Sequence, residues 1–169
     1  QTLAKSLAAA GIALYEGRGV CAGKGQAIVR SESGEEMLTT DNIILSCGSS
    51  SASFPGLAPD GDAVLDSTGV LNLPEVPESL IIVGAGAIGL ELGDFFGMMG
   101  SKITIVEAAP HIAPTEDADI AKEMDRVQSK AGRTCITGVM AKSLVTKDGQ
   151  AELTLGDGRV LTASKALVA

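Results

Sequence analysis

The sequence predicts an α/β fold built around a parallel sheet, and three observations carry the prediction. A compact apolar run, Leu80-Ile81-Ile82-Val83, meets a glycine-rich turn, a helix-length segment follows, and a second apolar run arrives at Lys102-Ile103-Thr104-Ile105-Val106. That order is a β-α-β unit, and Leu80–Val83 lacks polar alternation, as a buried strand does. The chain also repeats itself. Ala10-Gly11 and Ala131-Gly132 each end a predicted helix, a series of short strands follows each, and Thr39 and Thr162 each lead into a further apolar run. Gly11 to Thr39 spans 28 residues and Gly132 to Thr162 spans 30, so two copies of one architecture are expected.

Composition narrows the classes of function. Of 169 residues, 45% are hydrophobic and 20% charged, enough for a core and unlike a disordered chain. Aromatics are only 2%, which excludes a base-stacking platform. Lys and Arg number 13 against 21 Asp and Glu, so no basic footprint for nucleic acid exists. No apolar run approaches the ~20 residues of a membrane span. Cys21, Cys47 and Cys135 are odd in number and far apart, which suits a reducing compartment such as the cytoplasm. His111 is the one histidine, so no metal site is expected.

Residues 1–11 read as a helix stopped at Gly11. Ile12–Tyr15, Gln26–Val29 and Glu36–Thr40 read as an antiparallel meander. Ile43-Ile44-Leu45 reads as a strand buried on both faces, ending in the small-residue turn 46–51. Four of six prolines fall within 52–79, which marks a connection. A helix is expected over 90–99 and another over 117–131, with Ile120, Met124, Val127 and Ala131 on one face. Short strands follow at 134–136, 143–146, 152–155 and 160–161, and Ala166–Ala169 is a last apolar run. The first copy has no β-α-β front, which predicts the interior of a longer protein. The boundaries expected are 1–51 for a partial first domain, 52–76 for the connection and 77–169 for the second domain.

The chemistry centres on Gly84, Gly86 and Gly89. The first lets the chain turn out of the strand, the second lets a pyrophosphate approach bare backbone, and the third lets the helix pack close. Amides at the helix start, including those of Ala87 and Ile88, carry partial positive charge and suit a diphosphate. Glu107 ends the second strand 18 residues after Gly89, where a carboxylate can accept hydrogen bonds from a ribose. This context makes the second copy a doubly wound, Rossmann-like NAD-binding domain with an inserted meander. No Lys or Arg lies within 108–115 to offset a 2′-phosphate beside Glu107, so NAD is expected over NADP. Glu91 follows Gly89 by two residues, and on the residues alone it either complements the helix dipole or faces the nicotinamide.

The run Val76–Gly93 and the run Gly100–Glu107 resemble the flavoprotein disulfide reductases, most of all the dihydrolipoamide dehydrogenase branch. Asp66–Leu71 is similar to that family's connection between its FAD and NAD domains. The resemblance covers essentially the whole chain. It implies that residues 1–51 are the C-terminal part of a similar FAD-binding domain. It implies that Glu91 holds the nicotinamide carboxamide, that Glu107 binds the adenosine ribose and that Val139 lines the adenine pocket. On the FAD side it implies contacts from Gly17 and from Ser46-Cys47-Gly48, which stands where the family has Ala-Thr-Gly. The family's redox cysteine pair, its first glycine motif and its His-Glu pair have no match, so no catalytic residue is expected in this stretch. The resemblance implies a parent enzyme that passes a hydride between NAD and FAD and exchanges electrons with dihydrolipoamide on a lipoyl-bearing protein, as a homodimer. FAD would bind only the full-length parent. A mercuric reductase, an NADH oxidase or a non-catalytic nucleotide-binding module would share the same interior.

Overall fold

The computed structural model describes residues 2–52 and 54–169. Gln1, at the start of the expected first helix, and Ser53, in the expected connection, lie outside the described residues. The chain divides into two compact units, 1–49 and 50–169.

The first unit holds helix α1 (Thr2–Ala9) and a three-stranded antiparallel sheet of β1 (Arg18–Gly23), β2 (Gln26–Ser31) and β3 (Gly34–Thr39). After α1, Gly11 takes φ +70 and the Ile12 amide reaches back to the Leu7 carbonyl at 2.9 Å. That six-residue closure satisfies a carbonyl the helix end leaves open. The meander starts later than the sequence suggests. Ile12–Tyr15 forms no strand, and Arg18–Gly23 takes its place by pairing with β2 from Arg18↔Arg30 onward. Ladder partners decide this, because a glycine-poor apolar run without a neighbour gains nothing from being extended. Ile43-Ile44-Leu45 corrects the sequence reading more sharply. It forms no strand, and its residues are 37%, 91% and 72% exposed. The run pairs with neither edge strand of the β1-β2-β3 sheet, and no layer covers it.

The second unit is layered around a five-stranded parallel sheet in the order β4-β11-β5-β6-β7. These strands are β4 (Val64–Leu65), β5 (Ser79–Val83), β6 (Lys102–Val106), β7 (Thr134–Ile136) and β11 (Lys165–Val168). β4 and the short helix α2 (Ser67–Leu71) come from the stretch 52–76 and belong to this unit. Asp66 caps α2 by accepting from the Gly69 amide at 2.7 Å. Helices α3 (Ala87–Met98) and α4 (Ala118–Lys130) are the two crossovers joining β5 to β6 and β6 to β7. A second meander of β8 (Ala141–Lys147), β9 (Gln150–Leu155) and β10 (Val160–Ala163) precedes β11.

The central strands β5 and β6 are mostly apolar, Ser79, Lys102 and Thr104 excepted, because both of their faces are covered. Leu80 and Ile82 of β5 pack with Leu90 and Phe96 of α3, while Ile81 packs with Leu153, Leu155 and Ala166 on the meander side. Leu80, Ile82, Leu153, Ile105 and Leu167 are each 0% exposed. Each such side chain contributes about 1.5–3 kcal/mol of burial. One face is thus covered by helix and the other by a sheet, the two-layer rule applied twice.

Helix α3 starts at Ala87, three residues before the sequence suggests. Helix α4 falls one residue short of its expected bounds at each end and turns its face. Ala121 and Gln128 are buried and Met124 packs on the core, while Ile120 and Val127 are 51% and 47% exposed. The internal repeat holds for helix stop and meander: Gly132 takes φ +77 after α4, and the Arg133 amide closes on the Gln128 carbonyl at 3.1 Å. It breaks at the last strand, because β11 joins a sheet and 43–46 does not.

Candidate functional site

The strand order places a switch point between β5 and β11, where the chain's crossovers leave in opposite directions. Ligands of open α/β sheets bind there, beyond the carboxyl ends of the strands. A cleft of about 460 Å³ lies at that place. Its floor is Val83-Gly84 after β5, Val106-Glu107 after β6 and Val168-Ala169 after β11. Its walls are Phe54, Pro55 and Leu57 on one side and Met140 and Ala141 on another.

The three motif glycines have different physical reasons. Gly84 takes φ +108, and a Cβ there would sit 2.4 Å from the Ala169 carbonyl oxygen. A Cβ on Gly89 would sit 2.1 Å from the Gly84 carbonyl oxygen. Both are glycine because the protein itself needs the space. One turn further, a Cβ on Gly93 would press on Ile82 at 3.0 Å, so α3 lies close on the sheet along this line. Gly86 is the exception. Its φ of −76 is open to any residue, and a Cβ there would meet nothing within 4 Å. No packing within the protein explains a glycine at this position. It caps α3 without a side-chain hydrogen bond, so the first-turn amides of Ala87, Ile88 and Gly89 are those a helix leaves unpaired. Gly86, Ala87 and Ile88 are exposed.

Glu107 is half-buried and lines the cleft. Its carboxylate is already engaged: Oε2 accepts from the Ala85 amide at 2.8 Å and Oε1 from the Ala109 amide at 2.8 Å. Each oxygen keeps a second lone pair for a further donor. Val139 is brought to the same place by backbone. The Val139 amide donates to the Glu107 carbonyl at 3.2 Å, and the Gly138 amide to the Ala109 carbonyl at 2.7 Å. The Val139 side chain is half-buried and packs against the core on the meander side.

Glu91 stands apart from the cleft, exposed on α3. Because α3 begins at Ala87, Glu91 falls in the second turn, and the first turn carries no acidic residue. The dipole reading therefore loses its basis, since that effect fades beyond the first turn. His111 is exposed, with Nδ1 3.0 Å from the Ile112 carbonyl oxygen. In the first unit, Gly17 has a packing reason, since a Cβ there would sit 2.5 Å from the Arg30 carbonyl oxygen. Ser46, Cys47 and Gly48 are exposed and irregular. Cys21, Cys47 and Cys135 are free thiols. Burial, with a smaller push from Asp125, raises the Cys135 thiol above its ordinary value. Among the described residues no cluster of His, Cys, Asp and Glu could hold a metal, and no helix is long and apolar enough to cross a membrane.

Sequence reasoning missed much of the cleft lining. Val168 and Ala169 were within reach, because the end of any strand beside the first one belongs to the crevice. Phe54, Pro55 and Met140 carried no signal, since only the fold brings those loops to the strand ends.

Comparison with known proteins agrees with this fold. The chain is 38% identical over 151 residues to dihydrolipoyl dehydrogenase of Chlorobaculum tepidum, covering 87% of this chain and 32% of that protein. It is 34% identical over 164 residues to the human mitochondrial dihydrolipoyl dehydrogenase, covering 90% of this chain and 31% of that one. The chain thus spans about a third of the length of these curated relatives. Its fold matches the crystal structure of LpdA from Mycobacterium tuberculosis with a TM-score of 0.84 and 26% identity, over 99% of this chain and 38% of that one. A model of the pyridine nucleotide-disulphide oxidoreductase family, whose members use FAD and NAD(P), matches residues 3–169, and the chain belongs to that family.

Proposed function

We propose that residues 77–169 bind NAD and serve as the NAD-binding portion of an FAD-dependent dihydrolipoyl dehydrogenase, with residues 1–51 as part of its FAD domain and 52–76 as the connection. One observation carries the NAD reading. Gly86 is a glycine that no contact within the protein requires, at the uncapped start of α3, beside a cleft at the switch point. A diphosphate laid there would meet the amides of Ala87 and Ile88 and the positive end of the helix. Glu107 would accept from ribose hydroxyls with its remaining lone pairs, and its charge would repel a 2′-phosphate. Val139, stitched to Glu107 through backbone, would border the adenine. Glu91, exposed and without a first-turn role, would hold the nicotinamide carboxamide.

The nicotinamide supplies a hydride to the flavin, or takes one from it, when both groups are bound. The residues of this chain bind and orient; none of them transfers a proton or attacks a bond. On the FAD side the reading assigns contacts to Gly17, Ser46, Cys47 and Gly48 and is supported by family membership. The parent's thiol substrate would be dihydrolipoamide on a lipoyl-bearing protein, the assembly a homodimer and the compartment the cytoplasm. The relatives named dihydrolipoyl dehydrogenase support the dihydrolipoamide reading, and the free cysteines suit a reducing compartment. Lipoamide-dependent oxidation of NADH by the full-length protein tests the whole. Turnover with lipoamide is expected. Turnover with a mercuric ion or dioxygen alone, or none with FAD bound, would reject it.

A further inference from the structure

We propose that Glu107 is a positioning residue for the diphosphate turn, separate from any contact it makes with a ribose. The inference rests on the NAD reading above and deepens it. Ala85, the middle residue of Gly84-Ala85-Gly86, is 0% exposed. Its peptide groups are gripped on both sides by the segment that follows β6. Glu107 Oε2 accepts the Ala85 amide at 2.8 Å, and the Ala113 amide donates to the Ala85 carbonyl at 2.9 Å. Glu107 Oε1 in turn accepts the Ala109 amide at 2.8 Å, which folds the segment back toward the turn. Ala113 is buried and held at φ +48, a conformation that residues other than glycine rarely adopt. The surrounding contacts therefore fix this backbone against its own preference.

The consequence concerns preorganisation. Gly86 has no side chain to lock it, and nothing lies within 4 Å of where one would be. Its conformation is set by the residues next to it, and Ala85 is the neighbour that the protein holds. Charge-assisted hydrogen bonds to a carboxylate are the stronger kind, so losing this one releases the turn that a diphosphate needs already formed. A carboxylate known only as a ribose acceptor would leave the turn unaffected when removed.

The test separates the two roles with ligands that differ only in the ribose. ADP carries both ribose hydroxyls, and 2′,3′-dideoxy-ADP carries neither. Affinities of both for the wild-type chain, Glu107→Ala and Glu107→Gln are measured by calorimetry. Positioning predicts that Glu107→Ala weakens dideoxy-ADP by about tenfold, the scale of one hydrogen bond to a charged group. Glu107→Gln, which keeps one accepting oxygen, should fall between. Equal affinity of all three proteins for dideoxy-ADP, with ADP alone weakened, would overturn the proposal and leave the NAD reading standing. Amide exchange of Ala85 without ligand decides the clamp even if no nucleotide binds the wild type, an outcome that would reject the NAD reading. Exchange at least tenfold faster in Glu107→Ala supports the clamp, and unchanged exchange overturns it.

Discussion

Substituting alanine at Gly86 and at Gly89 separates a glycine kept for a ligand from one kept for packing. A Cβ at Gly89 falls 2.1 Å from the Gly84 carbonyl oxygen, against 3.4 Å for ordinary contact. The backbone would have to part by about 1.3 Å where α3 meets the turn, and overpacking of this kind costs about 3 kcal/mol. For a unit of this size that lowers Tm by about 10 °C. Gly86→Ala meets no atom within 4 Å and keeps a permitted φ of −76. Its cost is that of a poorer helix cap, about 0.5–1 kcal/mol, or a few degrees. Its methyl group, however, would stand where the proposed NAD reading brings a diphosphate closest. NADH affinity should fall at least tenfold, about 1.4 kcal/mol. Thermal unfolding and NADH fluorescence titration on both variants give the answer. Gly86→Ala binding NADH as tightly as wild type would refute the reasoning, and so would a Gly89→Ala protein as stable as wild type.

Three further outcomes are expected. Glu107→Arg should weaken NAD at least tenfold and bring NADP closer to it, because the charge beside the ribose changes sign; titrations that find both affinities unchanged contradict this. Burial raises the Cys135 thiol, while Cys21 and Cys47 are exposed. Iodoacetamide at pH 8 should therefore label Cys21 and Cys47 first, with Cys135 lagging by mass spectrometry until the pH rises. Two carboxyls make stability fall in acid. Burial pushes the Asp60 carboxyl up, but hydrogen bonds from the Thr146 hydroxyl and the Asp62 and Val64 amides outweigh it and hold it low. The Gly69 amide and the Ser51 hydroxyl hold Asp66 below its ordinary value. Both folded values are depressed, so their contribution is present above about pH 4 and is lost as pH falls through the folded values. The Asp60→Asn, Asp66→Asn double variant should lose less stability than wild type between pH 7 and pH 3 in urea unfolding. An equal loss would assign the acid sensitivity to other groups.

What the sequence made legible follows from where local signals and tertiary demands coincide. Leu80–Val83 was readable because a strand buried on both faces must be apolar at every position, and Lys102–Val106 because it follows the helix at the distance a β-α-β unit requires. The glycine turn was readable because two of its glycines are fixed by contacts at the closest possible range. Ile43-Ile44-Leu45 carries the same local signal as β5, yet stays exposed, because a strand exists only with a neighbour and this run joins neither edge of the β1-β2-β3 sheet. β1 gave the opposite error. Arg18–Gly23 contains two glycines and reads as a weak strand, and its pairing with β2 overrides that. The α4 face was misread by one position, since Ala121 and Gln128 rather than Ile120 and Val127 face inward. Gln128 is drawn in by Arg133, whose Nη1 donates to Gln128 Oε1 at 2.8 Å and pairs with Asp94 at 2.6 Å. No periodicity in apolar residues announces such a polar anchor. Within the site, the motif and Glu107 were visible as spacing, whereas the grip of Glu107 on Ala85 was visible only in three dimensions.

The most direct measurement is the amide spectrum of Gly84–Gly89 by NMR as NAD is added to the 169-residue chain. The account predicts saturable shifts centred on Gly86, Ala87 and Ile88, with NADP needing a higher concentration to produce them. Saturating NAD that leaves those three amides unmoved would contradict it.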